Sequence, residues 1–179
     1  MSCEAKETEP GYVNGLKALP EVHRHAAIRI EIDPGDGKPL PLVRRAVDRV
    51  GDDEIDEIWC LFDVESPQPH PNLEQAVRLA RRHGIRLAIS NPCFELWLIL
   101  HQEECTAYRT TAAAERRSRR LDGRTGKRID AAIYLPHRHR AAARARTLTA
   151  RHLGDGTAFP DDNRSSGMPD FLDAVEGAR

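Results

Sequence analysis

A chain of 179 residues, 31% charged and only 5% aromatic, has room for one domain with a modest apolar core. Its apolar runs are far too short to span a bilayer and it opens without a signal peptide, which argues against a membrane protein and for a cytoplasmic one. The net charge of -1 conceals an asymmetry: from Arg109 to Arg151 thirteen Lys or Arg stand against Glu115, Asp122 and Asp130, so the remainder is acidic.

The opening segment to Pro10 is polar. Thr8 or Glu9 with Pro10 resembles a helix start, and a helix to about Leu19 presents Tyr12, Val13, Leu16 and Leu19 on one face. Alternation over Ala26–Ile32 predicts a strand, and residues 34–39 a loop. Leu42, Val43, Ala46, Val47 and Val50 follow at helical spacing up to Gly51. The apolar run Glu57–Phe62 predicts a central strand ending in Asp63-Val64-Glu65. After Pro67, Pro69 and Pro71, Asn72 is placed to cap a helix with Leu73, Ala76, Val77 and Ala80 inward. Ile85–Ile89 reads as another strand. Ser90 or Asn91 then caps a helix with Pro92 at its first position, running through Glu95 to His101. This order predicts an α/β fold, a parallel sheet flanked by helices, with its first strand unplaced.

Past His101 the character changes. Glu103–Leu121 and Asp130–His152 read as basic helices joined by a turn over Leu121–Lys127. A loop from Gly154 to Gly167 and a short helix over Pro169–Val175 close the chain. The expected division is a core at 1–102 and a basic, mainly helical extension at 103–179 packed on it.

Asp63 and Glu65 are the first candidate site. Two acids at spacing two beyond a strand share a side, and the carboxyl end of a central parallel strand is where open α/β sheets place their ligands. Such a pair suits Mg²⁺, which takes one or two carboxylates plus waters and phosphate oxygens; a loop residue or a helix cap would look the same. Glu95, in the first turn of its helix, also suits the helix dipole, as His101 does at the other end. The basic stretch fits a phosphate backbone, or docking onto an acidic partner, and Lys127 sits on a Gly-flanked turn. Cys60 and Cys93 lie in apolar runs as reduced thiols, and no His/Cys cluster has the spacing of a zinc site.

Taken together, Asp63-Val64-Glu65 and Ser90-Asn91-Pro92-Cys93-Phe94-Glu95-Leu96-Trp97-Leu98-Ile99-Leu100-His101 resemble the signature of the RloB family. Cys3–Pro10 with Tyr12, Gly126-Lys127 and Asn163-Arg164-Ser165-Ser166 are similar to its other motifs, so the resemblance covers essentially the whole chain. It implies a Toprim-like, Rossmannoid sheet in which Glu4, Asp63 and Glu65 hold Mg²⁺ or Mn²⁺. Glu9, Glu95 and His101 are then further residues near the site, and Lys127, Arg124 and Arg128 position phosphate. It also implies a nuclease acting on RNA (transfer RNA among the candidates) or DNA, the effector of an antiphage system with a nearby ABC/AAA-type ATPase. The alternative is a non-catalytic subunit that binds nucleic acid or that ATPase. Ala5 stands where the family usually has Gly, Glu65 where it has a second Asp, and the first strand is expected to be truncated.

Overall fold

The computed structural model describes residues 2–3, 7–29, 31–32 and 38–177. Glu4, Ala5 and residues 34–37 of the loop expected at 34–39 lie outside the described residues; Pro39, at its end, already begins a helix. Strands β1 (Ser2–Cys3), β2 (Glu31–Ile32), β3 (Trp59–Asp63), β4 (Arg86–Asn91) and β5 (Ser165–Ser166) form one open sheet in the order β2-β1-β3-β4-β5. β1, β2, β3 and β4 run parallel, and β5 pairs antiparallel to β4. The strand left unplaced by the sequence is therefore present as a two-residue element between β2 and β3. Its ladder is set by those neighbours: Ser2 lies opposite both Glu31 and Cys60.

Helices α1 (Thr8–Lys17), α2 (Pro20–His25), α3 (Pro39–Val47), α4 (Leu73–Arg82), α5 (Glu95–Gln102), α6 (Thr111–Asp122), α7 (Arg138–Gly154) and α8 (Met168–Glu176) connect and cover the strands. Alternation along β3 divides the core in two. Trp59 and Leu61 enter a larger cluster with residues of α1, α5, α7 and α8, among them Tyr12, Trp97, Ala145 and Phe171. Cys60 and Phe62 face the other way, into a smaller cluster with α3 and α4 that includes Leu42, Val43, Ala76 and Ala80. A sheet strand buried on both faces is what a continuous apolar run such as Trp59–Phe62 permits.

Several local expectations change, each for an identifiable reason. Of the described residues in the strand expected over Ala26–Ile32, Glu31 and Ile32 are strand, paired with Ser2 and Cys3, whereas residues 26–29 are not. Ser90 and Asn91 do not cap a helix. They pair with Ser166 and Ser165 as the end of β4, and α5 begins at Glu95. Asn72 precedes α4 in a left-handed conformation (φ 64°) without a side-chain capping bond.

Residues 103–110 are not helical. Thr110 starts α6 instead, its hydroxyl accepting a bond from Ala113 N–H. Pro136 falls in short 3-10 turns over Ala131–Ile133 and Leu135–His137, ahead of α7. The loop expected from Gly154 to Gly167 contains β5. Gly167 passes so close to β4 that a Cβ there would meet Ile89 N at 2.9 Å and Ala88 Cα at 3.0 Å.

Candidate functional site

Asp63 ends β3 with its Cα opposite Ser90. Strand alternation turns it toward the same face as Trp59 and Leu61, the face covered by α5. Beyond it the chain is held to β4 by Val64 N–H donating to Ser90 O (2.9 Å) and Glu65 N–H donating to Pro92 O (2.8 Å). Glu65 itself has a left-handed backbone (φ 71°), so period-two alternation does not reach it. The expectation that Asp63 and Glu65 share a side by strand geometry therefore has no support beyond Asp63.

Glu95 stands at the start of α5, the helix that covers this face, and is only 7% exposed. Cys93 reports both carboxylates: burial pushes its thiol well up, and the charges of Asp63 and Glu95 push it further. Arg124 reaches Glu95 from the turn after α6, with Nη2 at 3.8 Å from Oε1. Its Nη1 donates to Asp122 Oδ2 (2.6 Å) and Ser118 Oγ (2.9 Å), and Tyr134 O–H donates to the same Asp122 oxygen (2.5 Å). Burial alone would raise the Asp122 carboxyl, but bonds from Tyr134 and Arg124 outweigh it and hold the group below its usual value. Arg124 Nε is a buried donor with no hydrogen-bond acceptor.

The first helix packs against the segment that follows Arg124. Thr8 Oγ1 donates to Lys127 O (3.2 Å), and Gly11 and Gly15 admit Ile129 and Ala131 against α1; a Cβ on Gly15 would lie 2.4 Å from that of Ala131. Glu9 is buried in the first turn of α1. Lys127 and Arg128 are exposed, whereas Arg124 is turned inward to carboxylates rather than outward.

His101 sits at the far end of α5, fully buried. Its Nδ1–H donates to Trp97 O (2.8 Å), so Nε2 accepts from Tyr12 O–H (3.0 Å). Both ring nitrogens are thus committed, and the edges of Tyr12, Trp97 and Tyr134 enclose the ring.

The basic extension is less free than its composition suggests. Arg117 pairs with Glu103, Arg138 with Glu21 and Glu176, and Arg146 with Asp173. Arg116, Arg120, Lys127, Arg128, Arg140 and Arg151 remain exposed without an ion pair among the described residues.

Asp63 and Glu95 offer the hard oxygen donors that Mg²⁺ or Mn²⁺ takes. Among the described residues no three His, Cys, Asp or Glu side chains come together as a ready cage. The residues present therefore fit a cation held by one or two carboxylates plus water and substrate oxygens. Asp122 and Tyr134 were not singled out from sequence as site residues. The Asp122-x-Arg124 spacing was the available signal for the first, and Tyr134 carried none.

No helix of the described residues is long and apolar enough to cross a membrane. No curated protein and no solved structure matches the chain. The model of the RloB-like protein family matches residues 1–175. With nearly its whole length matched, including the Asp63 loop, the Ser90–His101 segment and the Lys127 turn, the chain belongs to the RloB family.

Proposed function

We propose that this protein is a metal-dependent nuclease with a Toprim-like core, cleaving phosphodiester bonds in RNA or DNA as the effector of an antiphage system. The observation that carries this reading is the placement of Asp63 at the carboxyl end of β3 and of the buried Glu95 at the start of α5, just beyond the carboxyl end of β4, with Arg124 3.8 Å from Glu95. Asp63 and Glu95, joined by Glu65 and Glu4 as the family resemblance implies, would hold Mg²⁺ or Mn²⁺. Such an ion supplies activation of water and stabilisation of charge on the scissile phosphate. Arg124, held by Asp122, orients Glu95. Lys127 and Arg128, exposed on the turn beside α1, engage the backbone without reading bases. His101, neutral and doubly bonded, orders α5 rather than carrying protons.

A second reading, a non-catalytic subunit that binds nucleic acid or an ABC/AAA-type ATPase, draws support from the Glu95–Arg124 contact, which already gives one site carboxylate a cation. One experiment separates the two. Wild type and Asp63→Asn are incubated with transfer RNA, single-stranded RNA and plasmid DNA in Mg²⁺ or Mn²⁺, with and without the ATPase. Cleavage by wild type and its loss in Asp63→Asn supports the nuclease. Binding that weakens with salt, with no cleavage under any of these conditions, supports the subunit.

A further inference from the structure

Tyr108 is an anomaly in a chain that otherwise buries its rings. Its side chain is 61% exposed, while every Trp, the other two Tyr, and Phe62, Phe94 and Phe171 are buried. It is nevertheless held in place. Its hydroxyl shares a 2.5 Å hydrogen bond with Ser66 Oγ, three residues beyond Asp63. The loop carrying it is pinned on its downstream side. Ser66 N–H donates to Thr111 Oγ1 and Thr111 N–H donates to Ser66 O, both at 3.0 Å. Asn163 bridges the main chain of Arg109 by accepting from its N–H (3.3 Å) and donating to its carbonyl (3.0 Å). An aromatic side chain that is exposed yet held at its hydroxyl and by the chain just beyond it loses little freedom when something stacks on it.

Two arginines are anchored to Cys105, three residues before Tyr108. Arg109 Nε donates to Cys105 Sγ (3.2 Å) and Arg164 Nε to Cys105 O (3.1 Å). Neither arginine makes an ion pair among the described residues, and their terminal nitrogens make no hydrogen bond there. Arg109 does contribute, after Arg117, to holding the Glu103 carboxyl low. A flat ring and two nearby cations form the combination that holds an unpaired nucleotide: the base stacks on the ring and the phosphate meets the guanidinium groups.

We propose that Tyr108, Arg109 and Arg164 form a subsite for one unpaired nucleotide of a single-stranded nucleic acid, placed beside the Asp63 loop. The proposal rests on the nuclease reading for its purpose, not for its geometry. A base on Tyr108 sits against Ser66, so the strand it belongs to is delivered to the loop that carries the candidate carboxylates. A duplex keeps its bases paired and stacked and has none to offer the ring. The subsite therefore selects single strands, loops or frayed ends.

The test is binding, measured apart from cleavage. Fluorescence anisotropy with a labelled twelve-nucleotide oligouridylate and with an RNA duplex of equal length, both in EDTA, compares wild type, Tyr108→Ala and Tyr108→Phe. Tyr108→Ala is expected to weaken single-strand binding by about 5- to 100-fold, with Tyr108→Phe within about twofold of wild type and duplex binding unchanged. Ultraviolet cross-linking of a 4-thiouridine oligonucleotide to wild-type protein is expected to label the peptide carrying Tyr108. Equal single-strand affinity in Tyr108→Ala, or an equal loss on duplex, overturns the subsite. So does a Tyr108→Ala defect confined to association with the ATPase. Tyr108-dependent binding without Asp63-dependent cleavage leaves the subsite standing and removes the nuclease. The reverse result removes the subsite alone.

Discussion

The committed ring of His101 makes a prediction about stability that can be separated from every other titration in the chain. Burial pushes the imidazole down to about 4 from an ordinary 6.5, against the opposing pull of the Trp97 carbonyl. The unfolded chain therefore binds a proton at pH 5 that the folded chain refuses, so stability is fully present above pH 6.5 and is lost as pH falls toward 4. With those two values, linkage lowers the unfolding free energy by about 2 kcal/mol between pH 7 and pH 5, and by about 3 kcal/mol once pH reaches 4. Urea unfolding followed by the fluorescence of the two tryptophans measures this in wild type and in His101→Gln. The variant is less stable throughout, because it leaves the Tyr12 hydroxyl and the Trp97 carbonyl poorly served. The informative quantity is the change between the two pH values. The other seven histidines and the carboxylates are common to both proteins and cancel. The variant is expected to lose about 2 kcal/mol less than wild type over this interval. Identical losses would show that His101 titrates normally in the folded state, and the neutral, doubly bonded assignment would be wrong.

Arg124→Met is expected to lower stability by about 3 kcal/mol or more, because Asp122 and Glu95 stay buried without their cation; a loss below about 1 kcal/mol in urea unfolding would contradict that network. Gly167→Ala is expected to cost about 1–3 kcal/mol, since the new methyl group meets β4 backbone that cannot yield, while Gly154→Ala, with open space around it, changes melting little. Cys60 and Cys93 should stay unreactive toward Ellman's reagent until urea unfolds the chain; burial is the leading cause of both raised thiols, with Cys60 at about 12.

What could be read from sequence, and what could not, follows from how far apart the determinants lie. The helix bearing Tyr12, Val13 and Leu16, the strand over Trp59–Asp63 and the helix bearing Leu73, Ala76 and Ala80 each declare themselves through apolar spacing within one element. β5 had no such signal, for Ser165 and Ser166 are strand only because Asn91 and Ser90 lie opposite. The same pairing explains why Ser90-Asn91-Pro92 looked like a capped helix start: local chemistry favoured a cap, and partners at Ser165 and Ser166 kept the backbone extended. No expectation covered Pro20–His25, yet Pro20 opens α2 at a position where its missing N–H costs nothing. At the site, Asp63 and Glu95 were legible as candidates, but their proximity was not, because it depends on β3 and β4 aligning. Arg124 illustrates the limit. An arginine in a basic stretch gives no local sign of whether it faces solvent or two carboxylates.

The antiparallel strand β5 also bears on how the chain reaches this state. Through it, and through Asn91 donating to Pro160 O and Asp162 Oδ1, the outer edge of β4 is closed by residues about 70 positions later. During synthesis everything up to α5 has emerged before that closure exists. Nascent chains therefore pass through an interval in which β4 presents an unpaired edge, the feature most prone to join strands from neighbouring molecules. Long-range closure of this kind slows folding, since the ends of a long segment must meet before any contact rewards them. Coexpressed chaperones and unhindered translation past residue 102, which cover or shorten that interval, are the conditions under which this protein should be recovered soluble. Carboxyl-terminal deletions that remove β5 should send it to inclusion bodies even though they spare every candidate acid.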